Sequence, residues 1–152
     1  MSVRVQVEDF DLAAELAVLR SSKADIGAIV SFIGMVRDIN DGDVIKTLTL
    51  EHYPGMTEKS LFAIEKEANS RWHISQSLII HRVGTLKPQD QIVLVAVTSP
   101  HRAEAFAACE FIMDYLKTKA PFWKKEKTNY SERWVEAKSS DEEAQARWNQ
   151  LD

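Results

Sequence analysis

The sequence predicts an α+β fold with a mostly antiparallel sheet, folded as a single domain over residues 1–152. Two features point there. The segments follow the order βαβ, βαβ, β, αββ, α, and not an even alternation of strand and helix. The polar turn after the second strand is short, which suits an antiparallel return and not a crossover. No internal repeat, low-complexity tract or long linker divides the chain.

Val3, Val5 and Val7 alternate with polar residues, the pattern of a half-buried strand. Asp11 then caps a helix that carries Leu12, Leu16 and Leu19 to about Ser21. Gly27 to Arg37 is a β-branched and aromatic run ending in the polar turn Asp38 to Asp43, and Ile45 to Tyr53 is expected to return antiparallel. Pro54-Gly55-Met56 ends that strand. Thr57 is expected to cap the next helix, where Leu61, Ile64, Ala68 and Trp72 recur at helical steps as one stripe. Leu78 to Val83 and Ile92 to Val97 are the strongest strands, separated by Gly84 and the turn Pro88-Gln89-Asp90. The second is apolar at each position, which calls for cover on both faces. Ser99 as N-cap and Pro100 as first helical residue open a long helix through Lys119, and Pro121 stops it. Phe122 to Tyr130 and Arg133 to Ala137 form a terminal hairpin. Asp141 to Trp148 is a short helix or, with the rest of 139–152, a flexible C-terminal tail.

Composition narrows the function classes. The longest apolar run, Ile92 to Val97, is six residues, far below the roughly 20 of a spanning helix. The opening residues lack the apolar core of a signal peptide, so no membrane is expected. Cys109 is the single cysteine, which excludes an internal disulfide framework or a cysteine-cluster zinc site and suits a reducing cytoplasm. His52, His73 and His81 form neither HExxH nor a repeated i, i+4 pairing, so no metal is expected. The five glycines lie too far apart for a dinucleotide loop or P-loop, and no GxSxG occurs.

The net charge of −4 hides a basic stretch: Lys117, Lys119, Lys124, Lys125 and Lys127 face only Glu126 between residues 115 and 127. Either it is a solvated lysine face, or it binds a compact anion. RNA binding through Phe122, Trp123 and these lysines is disfavoured by the acidic total, so no nucleic acid is expected. Crowding lowers the pKa of whichever ammonium is most buried, and a lysine so shifted can act as acid, base or nucleophile. Pro121 places Lys117 in the last helical turn and Lys124 on the following strand, with Phe122 and Trp123 between them as walls. At the other end of that helix, His101 and Arg102 oppose the macrodipole. They serve stability poorly and an anion well, unless Arg102 merely faces solvent beside a structural histidine. Cys109 lies among small helix formers and reads as buried and inert.

Three segments carry a resemblance: Leu48 to Met56 (LTLEHYPGM), Val97 to Arg102 (VTSPHR) and Phe111 to Lys124 (FIMDYLKTKAPFWK). With Phe32 to Arg37 and Arg133 to Ala137 in support, the chain resembles the large, catalytic subunit of molybdopterin synthase, the MoaE family, from about residue 3 to 148. The resemblance implies an α/β-hammerhead-like part with an added antiparallel sheet. It also implies a sulfurtransferase that converts cyclic pyranopterin monophosphate (precursor Z) to molybdopterin by installing two dithiolene sulfurs. The sulfur would arrive as the C-terminal Gly-Gly thiocarboxylate of a small ubiquitin-like subunit. A homodimer of large subunits would carry one such partner at each end, as a heterotetramer, with no cofactor of its own. By position, Lys117 and Lys124 match the family's two critical lysines, and His101 and Arg102 its substrate-binding pair. Met35, Val36 and Arg37 match a substrate-contacting stretch that reaches across the dimer. Lys125 and Glu126 continue the pocket, Lys125 and Glu126 tuning Lys124, while Phe32 and Met113 match its apolar residues. The competing reading is a non-catalytic dimeric module that binds a phosphorylated small molecule or a ubiquitin-like tail.

Overall fold

The computed structural model describes residues 2–136 and 138–150. In order, the elements are β1 (Ser2–Gln6), α1 (Leu12–Ser21), β2 (Ala28–Met35), β3 (Ile39–Asn40), β4 (Asp43–His52), α2 (Met56–Arg71) and β5 (Gln76–Arg82). There follow β6 (Gly84–Leu86), β7 (Gln91–Ser99), α3 (Arg102–Lys119), β8 (Phe122–Thr128), β9 (Glu132–Val135), α4 (Ser139–Ala146) and a 3-10 turn, Arg147–Gln150. They build two sheets. The first runs β1-β5-β7-β2, parallel only between β1 and β5; the second runs β3-β4-β8-β9, with β6 also on β4. The α+β expectation holds.

β7 is central to the first sheet, and its continuous apolar run is covered on both sides as expected. Val93, Val95 and Val97 enter the main core with Leu61, Ile64 and Ala68 of α2 and Ala108, Phe111, Ile112 and Leu116 of α3. Leu94 and Ala96 face the opposite way, onto Phe10 and Leu19, near α1. Asp11 caps α1 by accepting from the Ala14 amide at 3.0 Å.

Three local expectations need correction. Strand β4 does return antiparallel, but onto the two-residue β3 and then β8, not onto β2. The chain leaves the first sheet after a bulge at Gly34/Met35. There Val36 takes its backbone bonds from the 89–90 turn, its amide donating to the Asp90 carbonyl at 2.9 Å. Thr57 does not cap α2. Gly55 does, at φ 84°, a conformation glycine adopts without strain, and Glu58 accepts from its amide at 2.6 Å. Thr57 instead bonds back to Tyr53 within the first turn. Finally, β7 continues through Ser99, so α3 starts two residues late, with His101 as N-cap. The Ser99 hydroxyl is tied to the His73 carbonyl at 2.7 Å while accepting from the His101 amide.

The segment from residue 139 folds back on α3. Trp148 is buried in the main core, edge-on to Trp72 and Phe111, and its indole N–H donates to Asp114 at 2.7 Å. Truncating so packed a tryptophan costs about 3–5 kcal/mol, a large share of a domain's net stability, and Arg147 adds ion pairs to Glu110 and Asp114 of α3. Ala137 and residues 151–152, which fell within the expected hairpin and tail, lie outside the described residues.

Candidate active site

The end of α3 and the start of β8 make the site. Ala120 turns extended after Lys119, Pro121 follows, and Phe122 begins a strand paired with His52 of β4. Six residues lie between Lys117 and Lys124, yet both line the same two cavities. A polar cavity of about 290 Å³ is walled by Met35, Val36, Arg37, Asn40, Glu126 and Asp141, among others. A narrower one of about 110 Å³ is walled by Phe32, Gly34, Met113 and Leu116, among others. Met35, Ile92, Lys117, Phe122 and Lys124 belong to both, so these are two lobes of one site that meet at the lysines.

Lys124 is the perturbed member of the pair. Burial first, then the neighbouring Lys117 by charge and hydrogen bonding, bring it down from the usual lysine value to about 8. Asp141 and Glu126 pull weakly the other way. The tuning neighbour is therefore Lys117, not Lys125. Strand alternation explains this: Lys124 and Glu126 share a face of β8 and Lys125 takes the opposite one. There it pairs with Glu132 at 3.0 Å and lies over the Trp134 ring.

A connected polar network fixes the floor of the wide lobe. Buried Glu126 accepts from Asn40 Nδ2 at 2.5 Å and from Arg133 Nε at 3.1 Å. Arg133 also binds Asp43 at 2.7 Å and the Asn40 carbonyl at 3.0 Å, tying β9 to the β3–β4 turn. Arg37 donates to Asn40 Oδ1 at 3.1 Å. The guanidinium of Arg37 and the carboxylate of Glu126 are thus held through one asparagine.

The structure unites Met35, Val36, Arg37, Lys117, Lys124 and Glu126 in the wide lobe of a single chain, so the Met35–Arg37 stretch meets the lysines without reaching across a dimer. It brings Phe32 and Met113 to the same lysines in the narrow lobe. It does not bring His101, Arg102 or Lys125 to either lobe of the same chain. His101 and Arg102 are exposed at the far end of α3, roughly 23 Å from Lys117 at 1.5 Å per residue. Gly27 packs against that helix start so closely that a Cβ would fall 2.2 Å from the Pro100 carbonyl oxygen. Of the walls, Phe122 lines both lobes, whereas Trp123 is exposed outside them. Sequence reasoning missed Asn40, Lys138 and Asp141 in the wide lobe and His81 in the narrow one.

The family model described as "MoaE protein" matches residues 5–119. Over 147 residues the chain is 63% identical to the molybdopterin synthase catalytic subunit of Ralstonia nicotianae, covering 97% of this chain and 84% of that one. The chain belongs to the MoaE family. Among solved structures, the molybdopterin biosynthesis MoaE protein of Burkholderia ambifaria superposes with a TM-score of 0.84 at 55% identity, covering 97% of each chain. Molybdopterin synthase from Staphylococcus aureus does so at 0.81 and 34% identity, over 88% of this chain and 96% of that one. These MoaE relatives span the β8 segment that carries Lys124, beyond the reach of the family model.

A MoaE protein that moved sulfur through its own thiol would need an accessible cysteine. Cys109 is buried on α3 with Sγ 3.8 Å from the Val95 carbonyl, and burial pushes its thiol up to about 12. Cys109→Ala is therefore expected to keep product formation within about two-fold of wild type, because a thiol so protonated supplies almost no thiolate. A large loss in a product assay would overturn this.

Proposed function

We propose that this chain is the catalytic subunit of a molybdopterin synthase, the sulfurtransferase of molybdenum cofactor biosynthesis that converts precursor Z to molybdopterin. The observation that carries the reading is the meeting of Lys117 and half-buried Lys124 where a polar lobe joins a narrow apolar one. The partner is a small ubiquitin-like subunit ending in a Gly-Gly thiocarboxylate. Two copies of the chain form the centre of a heterotetramer and each takes one such subunit. The single, sealed cysteine suits work in a reducing cytoplasm.

In this scheme the thiocarboxylate sulfur attacks a side-chain carbon of the precursor as that carbon's C–O bond to the cyclic phosphate breaks, the phosphate staying attached through its other ester oxygen. A C–S bond forms and an acyl thioester links pterin to carrier. Water adds to the thioester carbonyl, and the bond from acyl carbon to sulfur breaks. Sulfur stays on the pterin and the carrier departs as a carboxylate. A second carrier then adds its sulfur to the neighbouring carbonyl carbon, whose oxygen leaves as water, and the new thioester is hydrolysed in the same way. The Lys117 ammonium lies beside the thiocarboxylate and stabilises the oxyanion of each addition. Lys124, with its lowered pKa, moves the proton in the hydrolytic step. Met35, Val36, Arg37 and Glu126 hold the pterin in the wide lobe, and Phe32 and Met113 wall the carrier's slender tail. Lys125 supports the scheme only through its pairing with Glu132 across the hairpin.

His101 and Arg102 fit this scheme as the phosphate grip contributed by the second copy, since one helix length separates them from Lys117 in their own chain. Mixed dimers test that. Chains carrying Lys117→Ala and Arg102→Ala, each inactive alone, are expected on co-assembly to recover roughly a quarter of wild-type turnover. Half of the dimers are then mixed, and each mixed dimer holds one intact site of two. Zero recovery in a product assay places both groups in one chain's site and sinks the shared pocket.

A further inference from the structure

The narrow lobe contains one polar side chain that the scheme above does not use. Its polar members are Lys117, Lys124 and His81; the rest are apolar side chains and Gly34. His81, on β5, is only 3% exposed. Its Nδ1 lies 2.8 Å from the Arg82 carbonyl, a contact that requires the proton on Nδ1 and leaves Nε2 with a lone pair. Its ring stacks on Phe122, with centroids 3.7 Å apart and planes 16° from parallel. Among the side chains of the described residues that line the lobe, Nε2 is therefore the one acceptor besides the methionine sulfurs and a deprotonated lysine. The charged or titratable groups facing the ring are Lys124 of β8, Lys117 of α3 and His52 of β4. Those facing Lys124 are Lys117, Asp141 of α4 and Glu126 of its own strand.

We propose that His81 is a positioning residue for the lysine pair, its stacked and tautomer-locked ring offering Nε2 as the hydrogen-bond acceptor that orients the Lys124 amine within the narrow lobe. A carboxylate there would cancel the positive charge that the proposed thiocarboxylate chemistry needs, and a cation would repel both lysines. A buried imidazole surrounded by cations stays uncharged, its pKa carried down to about 3 by burial above all. It thus orients without neutralising. The inference rests on the sulfurtransferase reading, but two of its tests do not.

The first is the tautomer itself, read from long-range ¹H–¹⁵N correlations of the full-length protein. The expected result is an Nδ1–H imidazole, uncharged from pH 8 down to pH 5. An Nε2–H tautomer, or protonation above pH 5, overturns the proposal. The second is the Lys124 titration, followed by its ¹³Cε shift without substrate. His81→Phe keeps a stacking ring and removes the acceptor, whereas His81→Gln restores an acceptor near Nε2 and removes the ring. The Phe variant is expected to titrate Lys124 lower than wild type and to lose product formation about ten-fold in kcat with KM unchanged. The Gln variant is expected to return both to within about three-fold. If the Phe variant matches wild type in both readouts, or fails no worse than Gln, packing alone explains the residue and the proposal falls. Should wild type lack sulfur-transfer activity, the function reading fails, while the tautomer and titration arms still decide the role of His81.

Discussion

Lys117→Ala is expected to slow product formation by two to three orders of magnitude while leaving the fold intact. Lys117 is exposed at the last turn of α3 and contributes nothing to the core, so its loss leaves Leu116 and Met113 packed. Its position at the junction of the lobes sets the size of the effect. Removing one donor aimed at a developing oxyanion costs about 10²–10³ in rate, and this scheme develops such a charge at every thioester hydrolysis. The measurement is a single-turnover assay with a chemically thiocarboxylated carrier. Turnover within ten-fold of wild type would falsify the assignment.

Lys124→Arg is expected to separate chemistry from binding. Guanidinium retains the positive charge and does not deprotonate in the working range, so affinity for carrier and pterin should persist. Acid–base catalysis contributes about 10²–10⁴, and that factor should vanish. Wild type should show a rate that rises with pH through an inflection near 8, where Lys124 becomes the neutral amine able to accept a proton from water. The Arg variant should be flat across that range. A non-catalytic binding module predicts no such contrast. The same burial has a thermodynamic counterpart with a definite sign. Unfolded, Lys124 holds its proton up to the ordinary value of 10.5; folded, it releases it near 8. Between those values the unfolded state binds more protons, so the contribution of Lys124 to stability improves as pH rises across that window. Below it, the full cost of burying the ammonium applies.

Local signals in the sequence served well where local physics decides. The helical stripe of α2, the apolar run of β7, the proline stop at 121 and the hairpin that follows are each set by a handful of adjacent residues. Strand pairing is not. β4 takes β8 as its partner across some seventy to eighty residues, and no turn residue near Ile45 announces that choice. β6 is three residues long and exists only because β4 offers it an edge. In the site, the Lys117–Pro121–Lys124 spacing foretold that two lysines would converge. The alternation of β8 was available to show that Lys124 and Glu126, but not Lys125, face inward. Asn40 and Asp141 reach the wide lobe only through tertiary folding, and His81 looks like any histidine inside an apolar strand. The Arg133 network had a weak signal, a lone arginine opposite Glu126 in a short hairpin. The two-ended cation cluster also had a limit fixed by geometry: a straight helix cannot present both of its ends to one cavity without help from another chain.

The sealed position of Cys109 has a practical consequence for chemoselective labelling. A soft electrophile such as an iodoacetamide dye finds no reactive sulfur on this chain, because the thiol is both inaccessible and protonated at any ordinary working pH. Applied to a reconstituted mixture, such a reagent would tag only sulfur borne by other components. Consumption of a donor and appearance of a new enethiol can then be followed side by side, against a blank protein background and without mutating the protein under study.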